Sequence, residues 1–311
     1  VFTPTITGLT SLTTENINID NNSITALNSS IEQVSYTSVT TNLLTYSQTL
    51  NQSEPWILGN ASLDFQSDTA PDGTTTASKL IPNTINSRDH YLFNRIVSVS
   101  KIFSIYAKAD GYDYVNVILQ VGSSGSQGVQ FNISTGVIVT SISATGTITN
   151  VGNGWYRCSI IPSVAVTSPL ALIQPNDGGT TTTGNYARAA AYAGDGTKGV
   201  LLWGAQVEAT ALTGYLPTTS ASLSGITGVT RGVGGTTAAT ASSGDTITIG
   251  STSTTLAAAI TATQIGIPLA SITGVAASGT ASIGTSNMDL NLSSSGTGSV
   301  TINEIKTNSV T

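Results

Sequence analysis

Tyr114-Val115-Asn116-Val117-Ile118-Leu119-Gln120-Val121 is the stretch that decides the fold of this chain. Apolar and polar residues alternate along much of it, the period of a strand with one face on a core. Eight residues are too few for a helix of ordinary length, and the β-branched Val and Ile suit a pleated surface. The neighbouring segments repeat the pattern. Upstream stands Phe103-Ser104-Ile105-Tyr106-Ala107. Downstream, Gly128-Val129-Gln130-Phe131-Asn132-Ile133 runs through Ser134-Thr135-Gly136 into Val137-Ile138-Val139, which reads as a hairpin. Asn153-Gly154 before Trp155-Tyr156-Arg157 predicts a tight type I′ turn, because both residues tolerate positive φ. Val200-Leu201-Leu202-Trp203 and Ala205-Gln206-Val207 supply a late apolar strand. Roughly eight to ten short strands separated by turn signals predict an all-β chain built on an antiparallel sandwich of jelly-roll type.

Composition agrees with that class. Ser and Thr make up 91 of the 311 residues and Gly adds 32. Charged residues are 8% of the chain, against about 25% in ordinary globular proteins. Hydrophobic residues are 39%, too many for a disordered polar chain. The surface this implies is neutral and hydroxyl-covered. A net charge of −6 without a basic patch argues against nucleic-acid binding. Apolar runs stay well short of the about 18 residues of a membrane-spanning helix, so no membrane insertion is expected. With one cysteine, Cys158, no internal disulfide and no cysteine-built metal site is possible. No secretory signal pattern is visible, and a first residue of Val1 suggests a processed or partial piece of a longer protein.

Three regions differ in texture. Residues 1–41 are Thr/Asn/Ser-rich with short apolar pulses and read as a fibrous or linker segment. Residues 42–218 hold all three Trp and most of the Tyr and charge, and read as the sandwich domain. Residues 219–311 contain no Trp, Tyr or Phe, and only five charged residues, Arg231, Asp245, Asp289, Glu304 and Lys306. Small side chains bury little area against the backbone entropy they must offset. This tail is therefore expected to be a fibrous β segment that completes its core with companion chains. Leu223-Ser224-Gly225-Ile226-Thr227-Gly228-Val229 recurs as Leu269-Ala270-Ser271-Ile272-Thr273-Gly274-Val275, a weak repeat in keeping with a fibre. Thr255-Leu256-Ala257-Ala258-Ala259-Ile260 is the one short helix candidate.

Within 42–218, six stretches stand in register with a known pattern. They are Asn42-Leu43-Leu44-Thr45-Tyr46-Ser47, Ala70-Pro71-Asp72-Gly73-Thr74 with the residues to Leu80, Phe103 to Ala109, and Val151-Gly152-Asn153-Gly154-Trp155-Tyr156-Arg157-Cys158. Tyr192 to Thr197 follows, and Leu202-Trp203-Gly204-Ala205-Gln206-Val207-Glu208 closes with Gly214-Tyr215-Leu216-Pro217. This region resembles a carbohydrate-binding-module-like domain found in phage tail fibres and other virion proteins. Thr230-Arg231-Gly232-Val233-Gly234-Gly235 and Ser295-Gly296-Thr297-Gly298-Ser299-Val300 are similar to segments of phage structural proteins. The resemblance implies a virion component, assembled in the host cytoplasm, and a homotrimer in contact with other tail or capsid proteins. The expected function is a non-enzymatic tail fibre that attaches to host-surface glycan. A capsid-decorating or head fibre without a receptor role is the alternative, and a polysaccharide depolymerase is the third reading.

The residues that carry chemistry are few. His90 alone would have to serve a Ser-His-Asp triad, and its place at a strand start points to a structural role instead. Cys158, next to Trp155-Tyr156-Arg157, reads as a buried small hydrophobe. The nearest carboxylate pairs for glycoside hydrolysis are Asp64 with Asp68 and Asp110 with Asp113. No cofactor is expected beyond a structural Ca2+, for which the loop carboxylates Asp110, Asp177 and Asp195 are the candidate ligands. Asp72, Asp177 and Asp195 each lie close to glycine and read equally as turn residues. Sugars stack their C–H faces on aromatic rings. Trp56, Tyr112 and Tyr186, in loops rich in Gly, Ser and Asn, are therefore the candidate ligand contacts, whereas Trp155 and Trp203 fall on strands and read as core. The Gly/Thr-rich segment from Gln174 to Gly199 is long enough to carry function.

Overall fold

The computed structural model describes residues 32–50, 55–96, 102–121, 125–179 and 187–284, and a few short strand pairs beyond them. The described chain is all β, with one three-residue 3-10 turn at Val233–Gly235. Its main strands are β1 (Glu32–Tyr36), β2 (Ser38–Asn42), β3 (Trp56–Gly59), β4 (Ala61–Asp68), β5 (Ala77–Pro82), β6 (Tyr91–Arg95) and β7 (Ile102–Asp110). The next are β8 (Tyr114–Val121), β9 (Gly125–Asn132), β10 (Val137–Ile142), β11 (Ala144–Gly152), β12 (Trp155–Pro162), β13 (Leu170–Asn176) and β14 (Gly199–Glu208). The last are β15 (Leu223–Thr227), β16 (Thr246–Ile249), β17 (Thr252–Thr255), β18 (Gly266–Leu269) and β19 (Gly279–Ile283).

Two six-stranded antiparallel sheets, β10-β9-β8-β13-β6-β3 and β11-β12-β7-β14-β5-β4, form the sandwich. Val115, Val117 and Leu119 of β8 meet Phe103, Ile105 and Cys158 of the opposite sheet in one buried core. The expected hairpin closes β9 onto β10, and Gly136 adopts a φ of 74°. Asn153 and Gly154, at φ 52° and 80°, turn β11 into β12.

β8 departs from the half-buried expectation, because both of its faces are covered. Ile118 packs on the outer side with Phe93, Leu172 and Ala187. Asn116 donates to Ala187 O at 3.2 Å, and Gln174 Oε1 accepts from Ala189 N at 2.9 Å. Part of the segment expected to be a long functional loop thus serves as a cover for this sheet. Residues 180–186 of that segment lie outside the described residues. His90 is fully buried, with Nδ1 2.7 Å from Asn60 O and Nε2 2.9 Å from Tyr192 O.

The C-terminal segment differs from its expectation. A second, small module has its own core, in which Ile226, Ile247, Leu256, Ile267 and Ile283 pack on Val34 and Tyr36. Its sheets are β18-β15-β2 and β17-β16-β19-β1. The adjacent strands β1 and β2 each supply the edge of one sheet. Tyr36 brings the aromatic ring that residues 219–311 lack, and its hydroxyl donates to Ala276 O at 3.0 Å. A composition argument confined to 219–311 missed this, because the completing residues come from the other end of the same chain. Over residues 223–283 the buried apolar residues pack on one another and on Val34 and Tyr36 of the same chain.

Two further readings are corrected. Leu256 to Ile260 is not a helix: Leu256 N donates to Asp245 O, Ala257 N to Pro268 O and Ile260 N to Ala241 O, so neighbouring strands take the amides a helix would need. The repeated segments do not stack as repeats either. Ser224 pairs antiparallel with Leu269 and Ile226 with Ile267. Beyond the module the two arms stay paired, Glu32 with Ile283, Leu290 with Ala26 and Ile6 with Met288, all antiparallel.

An ion pair clamps the small module. Arg231 Nε and Nη2 donate to Glu32 Oε1 and Oε2 at 2.5 and 2.6 Å, with side chains 7% and 3% exposed. The amides of Gly232 and Ala239 also donate to the carboxylate, and Nη2 and Nη1 reach Ala239 O and Thr261 O. Burial opposes ionisation of Glu32, but the Arg231 and backbone donors outweigh it and hold the carboxyl below its ordinary value. Removing one partner strands the other, so Arg231→Ala should destabilise the module by about 3–5 kcal/mol in calorimetric or denaturant unfolding. Because the folded Glu32 binds its proton less tightly than the unfolded one, its contribution is complete above the ordinary glutamate range. It is lost as pH falls through the lower folded value. An acid-unfolding midpoint shifted by Glu32→Gln is the corresponding measurement.

Candidate functional site

The two modules are locked together at Asn42, the last residue of β2 and fully buried. Its Nδ2 donates to Ala205 O at 3.0 Å and Leu216 O at 2.9 Å, while Oδ1 accepts from Leu44 N at 3.1 Å and Val207 N at 3.2 Å. All four hydrogen-bonding positions of the amide are used. Gln206 fixes the same segment, accepting from Leu216 N at 2.7 Å and donating to Gly214 O at 2.9 Å. Glu208 accepts from Thr40 and Thr213 hydroxyls. At Gly266 a Cβ would run into Tyr215 O, so only glycine lets the small module approach this closely.

Between the docked modules lies a cleft of about 440 Å3, within the range of roughly 300–1,000 Å3 common for small-molecule sites. Tyr106 of β7, Trp203 of β14 and Tyr215 line its floor. Their rings pack on the outer face of the sheet, Tyr106 edge-on to Trp203 at 5.2 Å and Trp203 tilted on Tyr215 at 4.7 Å. Gly204, at φ 63°, sits in the bulged part of β14 against the Tyr106 ring, where a side chain would collide. Tyr215 OH shares a 2.7 Å hydrogen bond with Ser47 Oγ, and burial pushes its phenol well above the ordinary tyrosine value. Arg157 lies over the Tyr106 ring at 5.5 Å and donates to Thr213 O and Ser104 Oγ.

One wall is a directed hydrogen-bond chain. The Trp203 indole N–H is a donor only, so Thr76 Oγ1 accepts from it at 2.9 Å. Thr74 Oγ1 donates to Asp72 Oδ1 at 2.7 Å, which leaves Thr76 as donor in the 2.6 Å contact with Thr74. The Thr74 amide also donates to Asp72 Oδ1, at 3.0 Å. The opposite wall comes from the small module, with Thr261, Thr263 and Gln264.

The expected ligand contacts lie elsewhere. Trp56 is 2% exposed in the sandwich core, its indole N–H donating to Tyr46 O at 3.0 Å. Tyr112 belongs to the same core, edge-on to Tyr192 at 5.9 Å, and burial raises its phenol. In both cases the nearby turn residues signalled a loop, while the ring itself turns inward. Tyr186 lies outside the described residues.

The three carboxylates expected around Ca2+ each serve a separate local partner. Asp110 pairs with Lys79 at 2.7 Å, and Asp177 Oδ1 accepts from Gly179 N at 2.9 Å. Asp195 accepts from the Lys198 and Thr197 amides, which hold it down at about 2. Among the described residues no group of three or more His, Cys, Asp or Glu stands placed to hold a metal ion. Asp72, Asp177 and Asp195 are turn residues as read. Trp155 and Trp203 are buried as read, though on the outer face of their sheet and not between the sheets. Cys158 is fully buried, and desolvation pushes its thiol far up.

Sequence reading missed the cleft because one wall, Thr261 to Gln264, is brought to Trp203 by module docking. The floor residues were quoted only as parts of the sandwich pattern. No protein-family model matches the chain, and no curated protein matches it. Thr76→Val, which strips the Trp203 N–H of its acceptor, should cost about 1–3 kcal/mol in denaturant unfolding. Asn42→Ala, which orphans four buried backbone groups, should cost more than that in the same measurement.

Proposed function

We propose that this protein is a virion fibre component whose sandwich attaches the particle to glycan on the host surface. The cleft between the modules carries the reading. The exposed Val151 and Ile265, with Pro71, Pro217 and the small accessible parts of the Trp203 and Tyr215 rings, offer apolar surface for sugar C–H faces, and hydroxyl, amide and carboxylate groups on the walls offer partners for sugar hydroxyls. The resemblance of residues 42–218 to carbohydrate-binding-like domains of phage fibres points the same way. So does the low charge of the chain, 8% of residues. The antiparallel pairing of residues 24–26 with residues 290–292 carries both ends of the chain beyond the small module side by side, which suits a head on a stalk.

Asp72 is the one carboxylate lining the cleft, whereas glycoside hydrolysis uses two. We therefore favour binding over depolymerase activity. Trimerisation in this reading rests on the resemblance to phage fibre proteins. A native mass three times the 31.6 kDa protomer is expected, and a monomer at that mass would remove the trimer from the proposal.

The test of function is binding of the full chain to an array of immobilised cell-surface glycans. Saturable retention on a defined subset is expected. Retention on none would refute glycan attachment and leave the head-fibre role, and release of reducing ends from a polysaccharide would replace binding with hydrolysis.

A further inference from the structure

We infer that the cleft between the modules is itself the saccharide site and that it selects uncharged sugars over sugars bearing a carboxylate. This rests on the glycan-binding reading and adds a location and a charge class to it.

Placement comes first. Val151 and Ile265, both exposed, supply most of the apolar lining above the largely buried rings of Trp203 and Tyr215, and the polar groups come from two different modules, Asp72 and Thr76 from the sandwich and Thr261 and Gln264 from the small module. A ligand in this space touches both, so its orientation is set by parts of the chain about 190 residues apart, held rigid by the saturated amide of Asn42.

Charge follows from the walls. The hydrogen-bond chain from Trp203 through Thr76 and Thr74 runs toward Asp72, so both threonine protons and the indole proton are already committed. What this wall still offers a ligand is lone pairs, at Asp72 above all, and lone pairs match the O–H donors of a neutral sugar. One N–H of the Gln264 amide is committed, to Gly266 O at 2.6 Å, and the amide carries a second N–H and a carbonyl oxygen besides, so it can meet a sugar hydroxyl either as donor or as acceptor. The lining includes no Lys, Arg or His to receive a carboxylate. Of the neighbouring guanidinium groups, Arg157 is turned to Thr213 O and Ser104 Oγ against the Tyr106 ring, and Arg231, which donates to Thr261 O, is held in its buried ion pair with Glu32. An anionic sugar would meet the exposed Asp72 carboxylate, and the two like charges repel to a degree that salt screens. The chain's net charge of −6 acts in the same sense at longer range.

The experiment uses matched probes that differ only at one carbon, methyl glucoside against methyl glucuronide and methyl galactoside against methyl galacturonide. Binding to the full chain is followed by saturation-transfer NMR and titration. At least one neutral probe is expected to bind at least tenfold tighter than its uronide. Asp72→Asn should bring that ratio toward one and make it insensitive to salt. Gln264→Ala should weaken the neutral probe several-fold, while Asp195→Asn, outside the cleft, leaves it unchanged. Circular dichroism melting confirms that each variant is folded, and a second substitution on the other wall, Thr261→Val, replaces any that is not. Equal or tighter binding of the uronide overturns the charge selection. Neutral binding indifferent to every cleft variant overturns the location while leaving glycan attachment in place. Binding of none of the four probes, together with an empty glycan array, sinks both readings; if the array retains glycans but none of the four probes binds, this inference falls alone.

Discussion

Everything in this molecule depends on how one buried amide joins two β modules. Asn42 ends an edge strand of the small module and begins the sandwich, and it donates and accepts at every available position in a place water does not reach. A hydrogen-bonded group in such a site is costly to disturb, because every partner left behind is itself buried. Around it Gln206, Glu208 and Gly266 bring the two backbones into close contact. The modules are thereby fixed in one relation, and the space left between them has a defined shape. A cleft made of two bodies free to rock would offer a ligand no such preorganised walls.

The small module shows how a segment poor in bulky side chains acquires an interior. Thr, Ala and Gly dominate residues 219–284, and a core of Ile, Val and Leu alone would be thin. The chain solves this by returning its N-terminal strands to close both sheets. They bring Val34, Tyr36 and Glu32 with them, the last to meet Arg231 across 199 residues. In a protein with so few charges, a buried and fully hydrogen-bonded ion pair is a specific device. It fixes which strands pair, because the alternative leaves a charge without a partner in a dry place.

The candidate site repeats the lesson. Trp203 was legible as a buried strand residue because it sits in a run of apolar residues, and it is buried. Its role as the floor of a cleft depends on Tyr215, on the loop from Asp72 to Thr76 and on Thr261 to Gln264, which reach it from three directions. Trp56 and Tyr112 turn into the sandwich core and away from this cleft for the converse reason. Turn residues beside an aromatic ring mark where the backbone bends and carry no information about which way the ring points. Asp72, Asp177 and Asp195 were read well because an aspartate that accepts from amides two or three residues on is a local event.

By itself the sequence determined what short-range physics controls. The alternation in Tyr114–Val121 and its neighbours made strands, the positive φ open to Asn153 and Gly154 made a hairpin turn, and β-branched, uncharged composition made the whole all β. Tertiary structure alone decided the rest: that both faces of β8 are covered, that the two ends of the chain build one module, that the Ala-rich stretch after Thr255 is not helical, and that a cleft opens beside Trp203. Each of these turns on contacts between residues far apart in the chain. Which distant amide or side chain arrives at a given position is set by the packing of the whole, and no local pattern encodes it.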